Sequence, residues 1–171
     1  ASEMVSGQQR ARLARLFISL TIVSPSAKLS NGIAERANRT LLDIARSLLV
    51  GSGLPIVFWA EAFEMATNIY NRMSHSANPG GKSPYEMYYG HPPDDWHRFR
   101  VFGCKCFVHE DKNKRKDKSK LNATARPCVY LGLSKDDSRS HYVFNPRTYK
   151  FFTSTSVVFR EDEPGGELVR D

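Results

Sequence analysis

The stretch HPPDDWHRFRVFGCKCFVH, residues 91–109, divides the chain. Before it the apolar residues recur at helical spacing; after it they alternate. HPPDD, 91–95, is a natural boundary, because its prolines interrupt either kind of regular structure. VFGCKCFVH, 101–109, is then the first of five short strand candidates. The others are PCVYLGL (127–133), HYVFNP (141–146), YKFFTST (149–155) and SVVFRE (156–161). Asn145-Pro146-Arg147-Thr148 reads as a tight turn between two of them. Five strands in about seventy residues predict a small barrel or sandwich.

Upstream of the boundary, Ser83-Pro84 caps a short helix, YEMYY, that ends at Gly90. IVFWAEAFEMATNIYNRM, 56–73, predicts a helix that is apolar on most sides, with Trp59 in the core. Ile33, Ala37, Leu41, Ile44 and Leu48 are spaced by four, four, three and four, one stripe of an amphipathic helix. Asn31 and Gly32 start it, and Gly51 and Gly53 stop it. Further back, QQRARLARLF (8–17) reads as a short helix and ISLTIVSP (18–25) as a strand. The expected organisation is a helical segment over 1–92, a β-domain over 93–163 and a disordered tail over 164–171. One strand with two or three helices does not easily close a core alone.

The chain has 171 residues and a net charge of +7. Residues 93–163 carry fifteen basic and ten acidic side chains, and residues 1–92 carry nine and six. That balance favours a polyanionic partner. Three cysteines, Cys104, Cys106 and Cys128, do not make a secreted disulfide framework. Zinc is disfavoured as well: no second close pair exists, and strand parity puts His109 on the face opposite Cys104 and Cys106. Buried small hydrophobes are the better expectation. No apolar run approaches a membrane span and no signal peptide is visible. The chain reads as an intracellular piece of something longer.

Two features invite a functional reading. Glu35 sits in the first turn of the predicted helix, inside SNGIAERANRT (30–40). It can be an ordinary complement to the helix dipole, worth about 0.3–1 kcal/mol, or pair with Arg39 one turn on. A capping box fits poorly, because with Asn31 as the cap the reciprocal position is Ala34. Glu35, Arg39 and Arg46 share the polar side, flanked by Arg36, Asn38 and Lys28, all plausible phosphate contacts. The second feature is KNKRKDKSK, 112–120, between the first two strands. Lys112, Lys114, Arg115, Lys116, Lys118 and Lys120 repel one another and stay solvated, either as a solubilising loop or as an electrostatic finger for nucleic acid.

Taken in order, SNGIAERANRTLLDIARSLL, GLPIVFWAEAFEMATNIYNR and KSPYEMYYGHPPD resemble the Ty1/copia class of retrotransposon integrases. VFGCKCFVH, CVYLGLS, YVFNP and TSTSVVFRED resemble the SH3-like domain that follows the catalytic core in those polyproteins. The resemblance runs over about residues 13 to 163. It implies an α/β fold: the C-terminal, mostly helical part of an RNase H-like integrase core, then a small all-β SH3-like barrel. It also implies that Glu35 is the last of three catalytic carboxylates and a ligand of Mg²⁺ or Mn²⁺. The two aspartates are then expected before residue 1. One glutamate cannot complete an octahedral site, so this piece alone is not expected to catalyse or to hold the ions tightly. The implied process is DNA integration. DNA and the rest of the polyprotein are the expected partners, a homo-oligomer is possible in the intact enzyme, and the expected location is nucleus and cytoplasm. The competing reading is a non-catalytic nucleic-acid or chromatin-binding remnant of a transposon.

Overall fold

The computed structural model describes residues 12, 15, 32–110, 124–135, 137 and 139–169. Most of the expected 8–17 helix, the 18–25 strand, Lys28 and the whole basic run 112–120 lie outside the described residues. The described residues form a helical part followed by a five-stranded antiparallel sheet, as the period change at 91–95 predicts.

Helix α1 spans Gly32–Ser52. Leu41, Ile44 and Leu48 of the predicted stripe are partly buried, and the deepest positions are their neighbours Ala45 and Leu49, so the inward side is turned one residue on from the predicted one. The helix runs through Gly51 and ends one residue later, at Ser52. Gly53 follows, with a left-handed φ of 66° and an N–H that donates to the Val50 carbonyl. Pro55 and a 3₁₀ turn, Ile56–Phe58, lead into α2, Trp59–Arg72. The inward residues are Phe58, Ala62, Met65, Ala66 and, partly, Ile69. That spacing of four, three, one and three is a single stripe, and Trp59 falls outside it. The expectation that Trp59 is core is therefore wrong: it is 60% exposed. An all-round apolar pattern hid which side faces in. α3, Pro84–Tyr89, starts where Ser83 Oγ accepts from the Glu86 N–H at 3.1 Å and stops at Gly90, as predicted.

The strands are β1 (Cys104–His109), β2 (Ala125–Leu133), β3 (His141–Asn145), β4 (Lys150–Ser154) and β5 (Val157–Pro164). Their order in the sheet is β4-β3-β2-β1-β5, so β5 returns to pair with β1. All five match the strand candidates. Cys106 faces Cys128 across β1 and β2, and Cys106 faces Phe159 across β1 and β5.

The tail expected to be disordered instead continues the fold as far as Val169. β5 runs to Pro164 and a 3₁₀ turn, Gly165–Leu168, follows. The Gly165 N–H donates to the Gly103 carbonyl at 2.7 Å. A Cβ on Gly165 would lie 2.6 Å from that carbonyl oxygen and 2.9 Å from Val129 Cγ1. The two glycines thus permit a backbone approach that no other residue allows. A sequence rich in Pro, Gly and Glu looks disordered, but here the glycines are packing residues.

Two compact units are present, Ala1–Thr40 and Leu41–Asp171. In the first, the described part of α1 exposes Glu35, Arg36, Asn38 and Arg39. In the second, a continuous core joins Ala45, Phe58, Ala62 and Met65 to Cys106, Val129, Tyr130, Val143 and Phe144. Phe58 meets Phe144 edge-on at 5.0 Å. The junction expected at 92/93 is crossed by this core, so it separates kinds of secondary structure rather than packed bodies.

Candidate nucleic-acid interface

In the first unit the solvent side of α1 carries Glu35, Arg36, Asn38 and Arg39, all exposed; in the second, Arg46 is exposed on its part of the helix. Helical spacing places them there, because the apolar stripe occupies the other side. Arg46 Nη1 lies 2.9 Å from Asp43 Oδ1, so part of its charge is already answered within the helix. Arg36 and Arg39 have no ion-pair partner among the described residues. The Arg36 carbonyl accepts from Thr40 Oγ1 at 3.1 Å, an ordinary turn-to-turn bond. The geometry suits contact with a polyanion along one helix side.

The fit to a divalent metal is a separate matter. No group of three or more His, Cys, Asp or Glu side chains that could hold an ion exists among the described residues. Glu35 offers one carboxylate where Mg²⁺ takes six oxygen ligands. The described residues therefore do not make a metal site, and no catalytic step is derived through one.

The basic run 112–120 lies outside the described residues, and the strands on either side of it are paired. β1 closes at His109 and β2 opens at Ala125. The Glu110 N–H donates to the Thr124 carbonyl at 2.9 Å, and Arg126 Nη2 bonds Glu110 Oε1 at 2.6 Å. The cysteines behave as small core residues. Cys104, Cys106 and Cys128 are all buried. Burial pushes the Cys104 thiol up to about 12 and that of Cys128 to about 11, and raises Cys106 further. His109 is exposed on the other side of β1, as strand parity requires.

Two groups escaped the sequence reading. The first is Arg72, whose Nε and Nη2 donate to Asp95 Oδ1 and Oδ2 at 2.8 and 2.7 Å. Its guanidinium also lies 5.2 Å from the Tyr85 ring centre and 5.1 Å from that of Phe99. No local pattern announces a pair separated by twenty-three positions. The second group is the β3–β4 hairpin, with exposed Arg147, Tyr149 and Lys150. A signal existed here: residues 138–160 contain no Asp or Glu. Where the sheet meets the 96–100 turn, Arg100 lies 3.6 Å from Glu161 and over the Phe159 ring at 5.5 Å. His141, in contact with Phe159, is held below its usual value by burial and then by Arg100 and Arg98.

Comparison with known proteins gives these features a context. The retroviral polymerase SH3-like domain matches residues 104–169, all five strands and the tail turn. The Retrovirus-related Pol polyprotein from transposon TNT 1-94 of Nicotiana tabacum is 34% identical over 139 residues, 81% of this chain and 10% of that protein. The Retrovirus-related Pol polyprotein from transposon RE2 of Arabidopsis thaliana is 27% identical over 144 residues, 78% of this chain and 10% of that one. The Transposon Ty1-DR6 Gag-Pol polyprotein of Saccharomyces cerevisiae is 31% identical over 129 residues, 75% of this chain and 7% of its own length. The chain thus spans about a tenth or less of the curated relatives it matches.

Proposed function

From the premise that the chain is homologous to a segment of Ty1/copia-type transposon Pol polyproteins and carries their retroviral polymerase SH3-like domain, we propose that it is an integrase segment that holds nucleic acid during DNA integration. The observation that carries this is the positive charge of Arg36 and Arg39, exposed beside Glu35 on α1 and without an ion-pair partner among the described residues. Cations without carboxylate partners are available to phosphates. Asn38 adds a neutral donor, and Arg46 a cation that must exchange Asp43 for phosphate.

Each group then has a task. Arg36, Arg39 and Arg46 neutralise backbone phosphates, as do Lys28 and the six basic residues from Lys112 to Lys120. These contacts position a duplex or strand without reading its sequence. In the intact enzyme Glu35 supplies one carboxylate towards Mg²⁺ or Mn²⁺, with the remaining ligands from outside this chain. Such an ion would supply Lewis-acid chemistry at the phosphate undergoing transfer. The working partners are DNA and the rest of the polyprotein, and the site of action is the nucleus after synthesis in the cytoplasm.

The test has two parts. Binding of the chain to labelled DNA is titrated against salt, and Arg36→Glu/Arg39→Glu is expected to weaken it several-fold. Strand transfer is then assayed with a full-length polyprotein-derived integrase carrying Glu35→Gln. Retained binding with unchanged strand transfer removes the catalytic role of Glu35. It leaves a nucleic-acid-holding module, the reading that the lone carboxylate favours.

A further inference from the structure

The β3–β4 hairpin carries exposed aromatic residues, with Arg147 and Lys150 exposed close by in the chain. Asn145, buried, accepts the Arg147 N–H on its Oδ1 at 3.0 Å and fixes the start of the turn. Tyr149 follows at φ 53°, the one non-glycine residue with positive φ among the described residues. A bulky L-residue in the left-handed region is strained, and such strain persists where the surroundings or a function impose it. Tyr149 is nonetheless 70% exposed, so its ring gains little from burial in exchange.

Phe151, next on the same hairpin, is 44% exposed. It stacks on Tyr142 at 5.8 Å and 13° and leans on Phe144 at 5.0 Å, which fixes its plane. Arg147 and Lys150 neighbour Tyr149 along the chain, both exposed and without an ion-pair partner among the described residues. With no carboxylate anywhere in residues 138–160, nothing along the hairpin competes for those cations. The exposed Tyr149 ring, edge-on to Phe144 at 6.2 Å, next in the chain to cations with no ion-pair partner among the described residues, matches one ligand chemistry well. Stacked bases take the ring and phosphates take the cations. An apolar peptide would use the rings but leave the cations unanswered.

We propose that the β3–β4 hairpin is a single-stranded nucleic-acid contact, in which a base stacks on Tyr149 and the adjoining phosphates bind Arg147 and Lys150. This rests on the nucleic-acid reading above and adds a stacking site that phosphate contacts on α1 and in the 112–120 run do not provide.

The test uses the whole chain and a fluorescent deoxythymidine oligomer of about 15 nucleotides. It is run with the 112–120 cations intact and again with them neutralised, so that they do not mask the hairpin. Tyr149→Gly removes the ring and relieves the backbone, so the melting temperature should hold or rise while affinity falls about fivefold or more. Tyr149→Phe keeps the ring and should bind like the unsubstituted chain. Arg147→Glu/Lys150→Glu should weaken binding at least as much and flatten its salt dependence. If the unsubstituted chain binds but Tyr149→Gly and the charge reversal bind equally well, the hairpin site is overturned and the broader reading stands. If Tyr149→Phe loses as much as Tyr149→Gly, stacking is overturned. If the unsubstituted chain does not bind the oligomer or a duplex at all, both readings fall.

Discussion

Arg72 and Asp95 face each other through two parallel hydrogen bonds of 2.8 and 2.7 Å, with only 12% and 16% of their side chains exposed. The pair ties the last turn of α2 to the segment entering the sheet. Arg72 Nη1 also bonds the Asn68 carbonyl at 3.1 Å. A bidentate geometry needs a planar fork, which lysine lacks. Removing one partner leaves the other charge partly buried and unpaired, which costs about 1–3 kcal/mol. Asp95→Ala should lower the unfolding free energy by about that much, and Arg72→Lys by somewhat less, both read by urea denaturation. A loss under about 0.5 kcal/mol, the range of ordinary surface substitutions, would mean that the pair is no anchor.

The same pair gives the fold an acid limit. The Arg72 hydrogen bonds hold the Asp95 carboxyl below its ordinary value. Its contribution is complete above the unfolded value of about 3.9 and is lost as pH falls through the depressed folded one. His141 acts in the same direction at higher pH. Burial keeps it neutral, so acidification through about 6.5 favours the unfolded chain, where the imidazole charges freely. The urea midpoint should therefore step down twice as pH falls, first near 6 and then below 4. His141→Phe should abolish the first step and leave the second.

How legible this was depends on the range of the forces involved. Strand alternation and the Ser83-Pro84 cap are local, so all five strands and α3 follow from sequence. The direction of α2 was not legible, because Ile56, Val57, Phe58 and Trp59 are four apolar residues in a row and only packing on β3 and β4 selects Phe58. The tail misled for a related reason: Gly165 contributes by what it lacks, a Cβ, against Gly103 sixty-two positions earlier. On the candidate interface, helix spacing put Glu35, Arg36, Asn38, Arg39 and Arg46 on the exposed side of α1, where they are found. The Asp43 partner of Arg46 is local and could have been read. Tyr149 could not, since its positive φ is set by the turn as a whole.

The contrast at the start of α2 can be measured. Phe58 is buried against Phe144, and Trp59 projects into solvent. Phe58→Ala should cost about 3–5 kcal/mol. Trp59→Gln should change stability by no more than about 0.5 kcal/mol and should improve solubility. Trp59 emission should be at long wavelength and readily quenched by iodide in the folded chain. Equal losses for the two substitutions would reverse the assignment of the buried side.

Gly165 offers a cleaner steric test. A methyl group there has no room between the Gly103 carbonyl and Val129, so the turn must shift or β5 must lift. Gly165→Ala should destabilise by about 1–3 kcal/mol, the usual range for overpacking. Deleting residues 164–171 should cost more than a disordered tail would, since it also exposes Val129. An unchanged melting temperature after the deletion would show the turn to be ornamental.

The buried thiols give the last prediction. Cys106 and Cys128 are opposite each other on β1 and β2, both fully buried. The Glu110–Thr124 backbone bond, two residue pairs beyond Val108–Arg126 in the ladder's alternation, makes Cys106–Cys128 a hydrogen-bonded pair. Its Cα atoms are then held at the wide spacing of about 5.5 Å. With burial pushing Cys104 to about 12 and Cys128 to about 11, little thiolate exists at neutral pH. Labelling by a thiol-specific disulfide reagent at pH 8 should therefore proceed only as fast as the chain unfolds. All three cysteines should react together once urea is added. Rapid labelling of any one of them in the native chain would show that the interior of the sheet opens locally, and would return the cysteines to consideration as reactive or ligating groups.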